Sequence, residues 1–147
     1  MRIYLDTCTL HRPLDDRTQL RIALEADAVL ALLTLCAQGT LTLVVSAVNA
    51  FETVRNPRPQ RALFVQAIMA RAAEYIPLTD EIEARAQELE RAGVKAIDAL
   101  HWATAEAAAV DRFCTCDDRF YRKMKAVPGV TLKAVTPLEL IQEVVPC

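Results

Sequence analysis

Four carboxylates stand where carboxylates do chemistry, provided the chain folds as its apolar pattern implies. Asp6 closes the apolar run "RIYLD", and Glu52 lies six residues after Ser46 in "SAVNAFE". Asp98 opens the alanine-rich segment "AIDALHWATA", and Asp117 follows "RFCTC". Taken singly, each has a plain structural role. Asp6 and Asp117 suit turn caps, Asp98 suits a first-turn helix acid favoured by the macrodipole, and Glu52 suits a solvated surface. Taken together they ask for more. Crowded carboxylates repel one another, and burial makes their ionised forms costly. Such a cluster is best explained by a bound cation, and oxygen-only ligands favour Mg²⁺ or Mn²⁺ over zinc.

The elements that must position these acids follow from hydrophobic periodicity. Strands are expected at Arg2–Asp6, Leu41–Ser46, Tyr75–Thr79, Arg112–Asp117 and Val130–Val135. Helices are expected at Leu20–Ala37, Ala47–Arg55, Gln60–Glu74, Asp80–Arg91, Ala96–Val110, Arg119–Ala126 and Pro137–Val144. In the first long helix Leu20, Ala23, Leu24, Ala28, Leu30, Ala31 and Leu35 recur at helical spacing. Strands alternating with helices imply a three-layer α/β/α sandwich around a mostly parallel sheet of about five strands, in one domain over residues 1–147. In such sheets ligands bind outside the carboxyl ends of the strands. Asp6 and Asp117 fall on that edge directly. Glu52 is on the helix leaving the second strand, and Asp98 starts a helix that runs antiparallel to the strand it feeds, so its N-terminus lies at the same edge.

The totals bound the possibilities. Lys plus Arg number 17 against 19 Asp plus Glu, a net charge of −2, so bulk charge does not coat nucleic acid. Any RNA contact needs a local basic patch or a cation. No apolar run reaches the roughly 20 residues of a membrane span, and no signal peptide is expected at the start. Five cysteines, an odd number without framework spacing, suit a reduced, cytoplasmic chain. Cys114 and Cys116 form a C-x-C in an apolar strand; with no second pair and only two histidines, buried thiols are expected rather than zinc.

The segments "YLDTCTL", Ser46-x5-Glu52, "KAIDALHWATA" and "TCDDRF" resemble PIN domains, many of which are VapC-like toxin ribonucleases of bacterial toxin–antitoxin pairs. The "RPLDD" stretch is similar to a subgroup of bacterial PIN proteins. The resemblance spans nearly the whole chain and rests most on "IDALHWATA" and Thr-x-Asp-x-x-Phe. It implies a metal-dependent endoribonuclease leaving 5′-phosphate and 3′-hydroxyl ends, with an antitoxin partner and a homodimeric state. Its acidic tetrad falls on Asp6, Glu52, Asp98 and Asp117, with Mg²⁺ or Mn²⁺ as cofactor. Thr115 would orient water or a ligand, and Thr7 is the small hydroxyl neighbour of the first acid. Cys8 departs from the Asn of many relatives. Asp118 reads as a helix cap in preference to an auxiliary ligand.

Positive charge for an RNA backbone is expected from Arg12, Arg17, Arg55, Arg58, Arg119, Arg122, Lys123 and Lys125. Phe120 reads as core, Tyr121 as a stacking candidate, His101 as structural, and Trp102 as core or interface. Two other readings stay open. One is a catalytically silent PIN scaffold binding RNA or protein. The other is a phosphoryl-transfer domain with Asp6 as nucleophile, although phosphatases of that kind want a second Asp where Cys8 stands.

Overall fold

The computed structural model describes residues 1–146. Five strands form one fully parallel sheet: β1 (Arg2–Leu5), β2 (Thr42–Ser46), β3 (Glu74–Ile76), β4 (Arg112–Cys114) and β5 (Ala134–Val135), in the order β3-β2-β1-β4-β5. Helices connect them: α1 (Thr7–His11), α2 (Leu20–Ala37), α3 (Ala47–Val54), α4 (Pro59–Arg71), α5 (Asp80–Arg91), α6 (Ala96–Ala108), α7 (Asp118–Ala126) and α8 (Pro137–Val144). The α/β sandwich expected from the sequence is the architecture observed.

The two-residue period of the strands sorts the core into two layers. Tyr4 pairs in register with Val44 and Phe113, and all three pack beneath Ile82, Leu89, Trp102 and Phe120 of α5, α6 and α7. Their neighbours Ile3, Leu5, Leu43, Val45 and Cys114 face the opposite way, against Val29, Leu32, Val65 and Leu140 of α2, α4 and α8. Both faces are covered, which is why the strands read as continuous apolar runs. Trp102 is fully buried, and its indole N–H donates to Glu106 Oε1 at 2.9 Å.

Strand order reverses direction at β1, whose neighbours β2 and β4 lead to opposite halves of the sheet. The β1/β4 carboxyl ends therefore form the switch-point crevice of an open α/β sheet. Asp6 leaves β1 there, and Thr115, Cys116 and Asp117 leave β4.

Several boundaries differ from those expected. The fourth helix stops at Arg71 because the chain already joins the sheet: Ala73 N donates to Leu43 O at 3.1 Å and Glu74 pairs with Val44. The last strand shrinks to Ala134–Val135, since three-residue β4 offers it only Phe113 and Cys114 as partners. Helix α1 and the 3₁₀ turn Arg12–Leu14 were not expected; five residues are too few for a periodic signal, and the Asp6 cap nucleates the turn. In α2 the buried set is Glu25, Ala26, Ala28, Val29 and Leu32, whereas Leu20, Leu24 and Leu30 are exposed. A helix apolar on nearly every side carries no phase from which its inward face can be read.

Candidate active site

Asp6 is almost fully buried and acts as the α1 N-cap. Its Oδ1 accepts from Thr9 N at 3.2 Å, from the Thr9 hydroxyl at 2.5 Å and from the Cys8 thiol at 3.2 Å. Thr9 Oγ1 in turn accepts from Cys116 N at 3.0 Å, tying the end of β1 to the loop after β4. On that loop Asp117 caps α7: its Oδ1 accepts from Arg119 N at 2.9 Å and Phe120 N at 3.1 Å. The Thr115 hydroxyl, wholly buried, accepts from Asp117 N at 3.0 Å and so orients the same turn.

Asp98 sits in the first turn of α6, and no hydrogen bond reaches its carboxylate among the described residues. Burial, then the charges of Asp6 and Asp117, push its carboxyl from 3.8 up to about 6, against the smaller opposing influence of His101 and Lys95. Asp98 and Asp117 line a cleft of about 170 Å³ together with Gly93, Lys95, Arg119 and Lys123. Gly93 adopts φ +96°, and a Cβ there would meet the Lys123 ammonium at 2.8 Å, so glycine is what lets this lysine lie against the loop.

Glu52 stands apart from that cleft and is organised differently. Its Oε1 meets His101 Nε2 at 2.6 Å. Burial pushes this carboxyl up, but the hydrogen bond and field of His101, with Thr7 and His11, hold it below the ordinary carboxylate range. Asp6 and Glu52 act together on two neighbours, pushing the Tyr4 phenol up alongside its burial and partly offsetting the fall that burial and Arg61 impose on His11.

The four acids are thus brought to one sheet edge from four distant segments, three of them within one another's fields. As the side chains are arranged, no three His, Cys, Asp or Glu groups among the described residues stand close enough to hold one ion. The donor chemistry nevertheless fits a hard divalent cation. On Asp6 and Asp117 the hydrogen bonds fall on Oδ1 and leave Oδ2 without a partner among the described residues, while Asp98 is raised by burial first and then by like charge that a cation would relieve.

The other expected residues are placed as follows. Thr7 Oγ1 accepts from Asn49 Nδ2 at 3.1 Å. Arg119 and Arg122 are exposed on α7, and Arg122 adds to the lowering of the Asp118 carboxyl that its hydrogen bond from Arg21 chiefly causes. Arg12 is held in ion pairs, to Asp15 at 2.9 Å and to buried Glu25 at 3.5 Å. Asp118 takes the Arg21 guanidinium. Phe120 is core, as expected, and Tyr121 donates to Glu139 Oε1 at 2.8 Å, which fixes its ring against α8. Cys114 and Cys116 are buried free thiols. Two buried groups had no part in the sequence reading: Thr9, three residues after Asp6, and Asn49, three after Ser46. Both are at the N3 spacing of a capped helix, which is the signal that would have found them. A mainly apolar cavity of about 420 Å³ lies between α2, α4 and the start of β2, away from the acids.

A parallel sheet with a switch-point crevice edged by acids defines a class of α/β proteins, and the family comparison narrows it. The chain belongs to the PIN domain family, whose model matches residues 3–126. Among solved structures it is similar to a chain of VapBC2 from Rickettsia felis bound to a DNA fragment from their promoter. That match has a TM-score of 0.61 and 17% identity, covers 92% of this chain and 98% of the other, and speaks for the fold. No curated protein matches by sequence. No helix among the described residues is long and apolar enough to cross a membrane.

Proposed function

We propose that the protein is a divalent-metal-dependent endoribonuclease, the toxin of a type II toxin–antitoxin pair, acting in the cytoplasm as a homodimer. The observation that carries this reading is Asp98: a carboxyl raised to about 6 by burial and by Asp6 and Asp117, at the mouth of a cleft edged with Lys95, Arg119 and Lys123. An acid raised by burial and by two like charges, beside cations that suit phosphate, is what a metal-assisted phosphodiesterase requires. The likeness to VapBC2 supports an antitoxin partner, and exposed Leu20, Leu24 and Leu30 on α2 supply apolar surface for a second copy.

In this reading Asp6, Glu52, Asp98 and Asp117 hold Mg²⁺ or Mn²⁺. When bound, such an ion would activate a water and neutralise charge on the phosphodiester. Thr115 keeps the Asp117 turn in place, and Thr7 does the same near Glu52. Arg119, Arg122 and Lys123 take the RNA backbone, whereas Arg12 is held in its ion pairs to Asp15 and Glu25. The buried, thrice hydrogen-bonded Asp6 carboxylate makes a poor nucleophile, which weighs against phosphoryl transfer through this residue.

The test is to incubate the protein and its Asp98→Asn variant with cellular RNA, in Mn²⁺ and then in EDTA, and to sequence the product ends. Discrete cleavage that needs both the metal and Asp98, and leaves 5′-phosphates, is the expected result. Loss of about 10²-fold or more in rate is expected for the variant, of the size seen when a group acting in the transition state is removed. Wild-type protein that binds RNA without cutting it in Mn²⁺ turns the reading towards a silent scaffold.

A further inference from the structure

His101 is 2% exposed and uses both ring nitrogens. Nε2 meets Glu52 Oε1 at 2.6 Å, and Nδ1 meets the Tyr4 hydroxyl at 2.6 Å. The Tyr4 hydroxyl also meets Ser46 Oγ at 2.7 Å. Ser46 Oγ accepts from Val48 N and Asn49 N, and Asn49 Oδ1 accepts from Ser46 N at 2.9 Å. Asn49 Nδ2 then reaches Thr7 Oγ1 at 3.1 Å. Five elements (β1, α1, β2, α3 and α6) are joined by one buried line of hydrogen bonds that ends on Glu52.

The directions of these bonds are set by chemistry. An ionised carboxylate only accepts, so Nε2 carries the hydrogen facing Glu52. In the tautomer that carries its hydrogen on Nε2, Nδ1 accepts from Tyr4, whose phenol burial keeps protonated. The Tyr4 oxygen then accepts from Ser46, whose own oxygen is the α3 cap. Every member is satisfied, and a polar network satisfied throughout is rigid. Helix dipoles and packing would bury a histidine here without asking for two 2.6 Å bonds to groups at the sheet edge.

Resting on the metal-dependent nuclease reading above, we propose that His101 is a positioning residue for Glu52. Anchored by Tyr4 and Ser46, it holds Oε1 and thereby presents the other Glu52 oxygen to the edge shared with Asp6, Asp98 and Asp117. Such outer partners typically contribute 10–100-fold to metal affinity or activity. His101 is too buried to touch RNA, so its loss acts on metal affinity and kcat and leaves KM for RNA within about twofold.

The experiment compares His101→Gln with His101→Asn by calorimetric titration with Mn²⁺, without RNA, and by cleavage of an oligoribonucleotide carrying a mapped site. A Gln amide reaches roughly where Nε2 stands and keeps a donor for Glu52. An Asn amide reaches roughly where Nδ1 stands and keeps only Tyr4. The expected order of Mn²⁺ affinity is wild type, then Gln, then Asn, with Asn weaker than wild type by about 10-fold or more. Equal losses in the two variants would reduce His101 to packing and overturn the proposal. So would wild-type affinity in His101→Asn, with the nuclease reading left standing. Should His101→Asn not fold, Tyr4→Phe, which keeps the ring and removes the anchor, is expected to lower Mn²⁺ affinity several-fold; unchanged affinity there overturns the relay. A wild type that binds no Mn²⁺ and cuts no RNA removes both the nuclease reading and this one.

Discussion

At Asp98 the electrostatics can be turned into a stability measurement. Its carboxyl titrates at about 6 in the folded chain against 3.8 ordinarily. Between those values the native state binds more protons than the unfolded one, so stability falls as pH rises from about 4 to about 6 and then levels off. Two units correspond to roughly 3 kcal/mol in full, and solvent screening of a half-buried group reduces this to on the order of 1–2 kcal/mol. Asp98→Asn removes the ionisation, so in EDTA at pH 7 it is expected to be more stable than wild type by about that amount, while losing cleavage. Urea unfolding of both proteins at pH 4 and pH 7 checks it: the gap should open at pH 7 and nearly close at pH 4. A variant less stable than wild type at pH 7 would mean that Asp98 is already neutralised. The candidacy of the acids was legible in the sequence because Asp6 and Asp117 follow strands, Asp98 lies in the first turn of a helix, and Glu52 lies on the helix leaving the second strand. Of the partners that orient them, Thr9 and Asn49 show in the sequence only as N3 residues of capped helices, and Tyr4 joins them only once β1, β2 and β4 are side by side.

Among the elements, α3 and α6 carry two of the four acids and differ in how their ends are made. Helix α3 starts on a complete capping box, with the Ser46 hydroxyl accepting from Asn49 N and Asn49 Oδ1 from Ser46 N. Ser46→Ala removes the cap and the partner of Tyr4, and is expected to cost about 1–2 kcal/mol in urea unfolding. A cost near zero would show that the cap is replaceable by water. Helix α6 ends on Ala109 at φ +52°, a left-handed residue that carries a Cβ, with Arg2 Nη1 donating to the Ala108 and Ala109 carbonyls. Ala109→Gly relieves that conformation at an exposed position and is expected to raise stability by about 0.5–1 kcal/mol, read from the urea midpoint. Helices α2, α5 and α8 begin and end where periodicity and caps place them. Edges set by strand partners, as at α4 and β5, moved by several residues.

For the whole molecule the charge balance gives a prediction about RNA. With a net charge of −2 there is no general attraction, so affinity rests on the few cations beside the acids. If Arg119, Arg122 and Lys123 each meet one phosphate, log K for single-stranded RNA should fall with log salt at a slope of about −2. The combined variant Arg122→Ala and Lys123→Ala should bring that slope to about −0.7. Binding of an RNA in EDTA, followed by fluorescence anisotropy across a KCl series, makes the measurement. A slope unchanged in the variant would place the backbone elsewhere on the surface.

By itself, the sequence determined the α/β class, the alternation of elements and the candidacy of Asp6, Glu52, Asp98 and Asp117, because apolar period and helix caps are local and act within a few residues. Tertiary structure decided which face of α2 is buried, since a helix apolar on most sides has no preferred phase until it meets the sheet. It also decided that Arg12 pairs with Asp15 and Glu25, and that His101 bridges Glu52 to Tyr4 and Ser46. Those contacts span up to about a hundred residues of chain, and only the parallel order β3-β2-β1-β4-β5 brings their ends together.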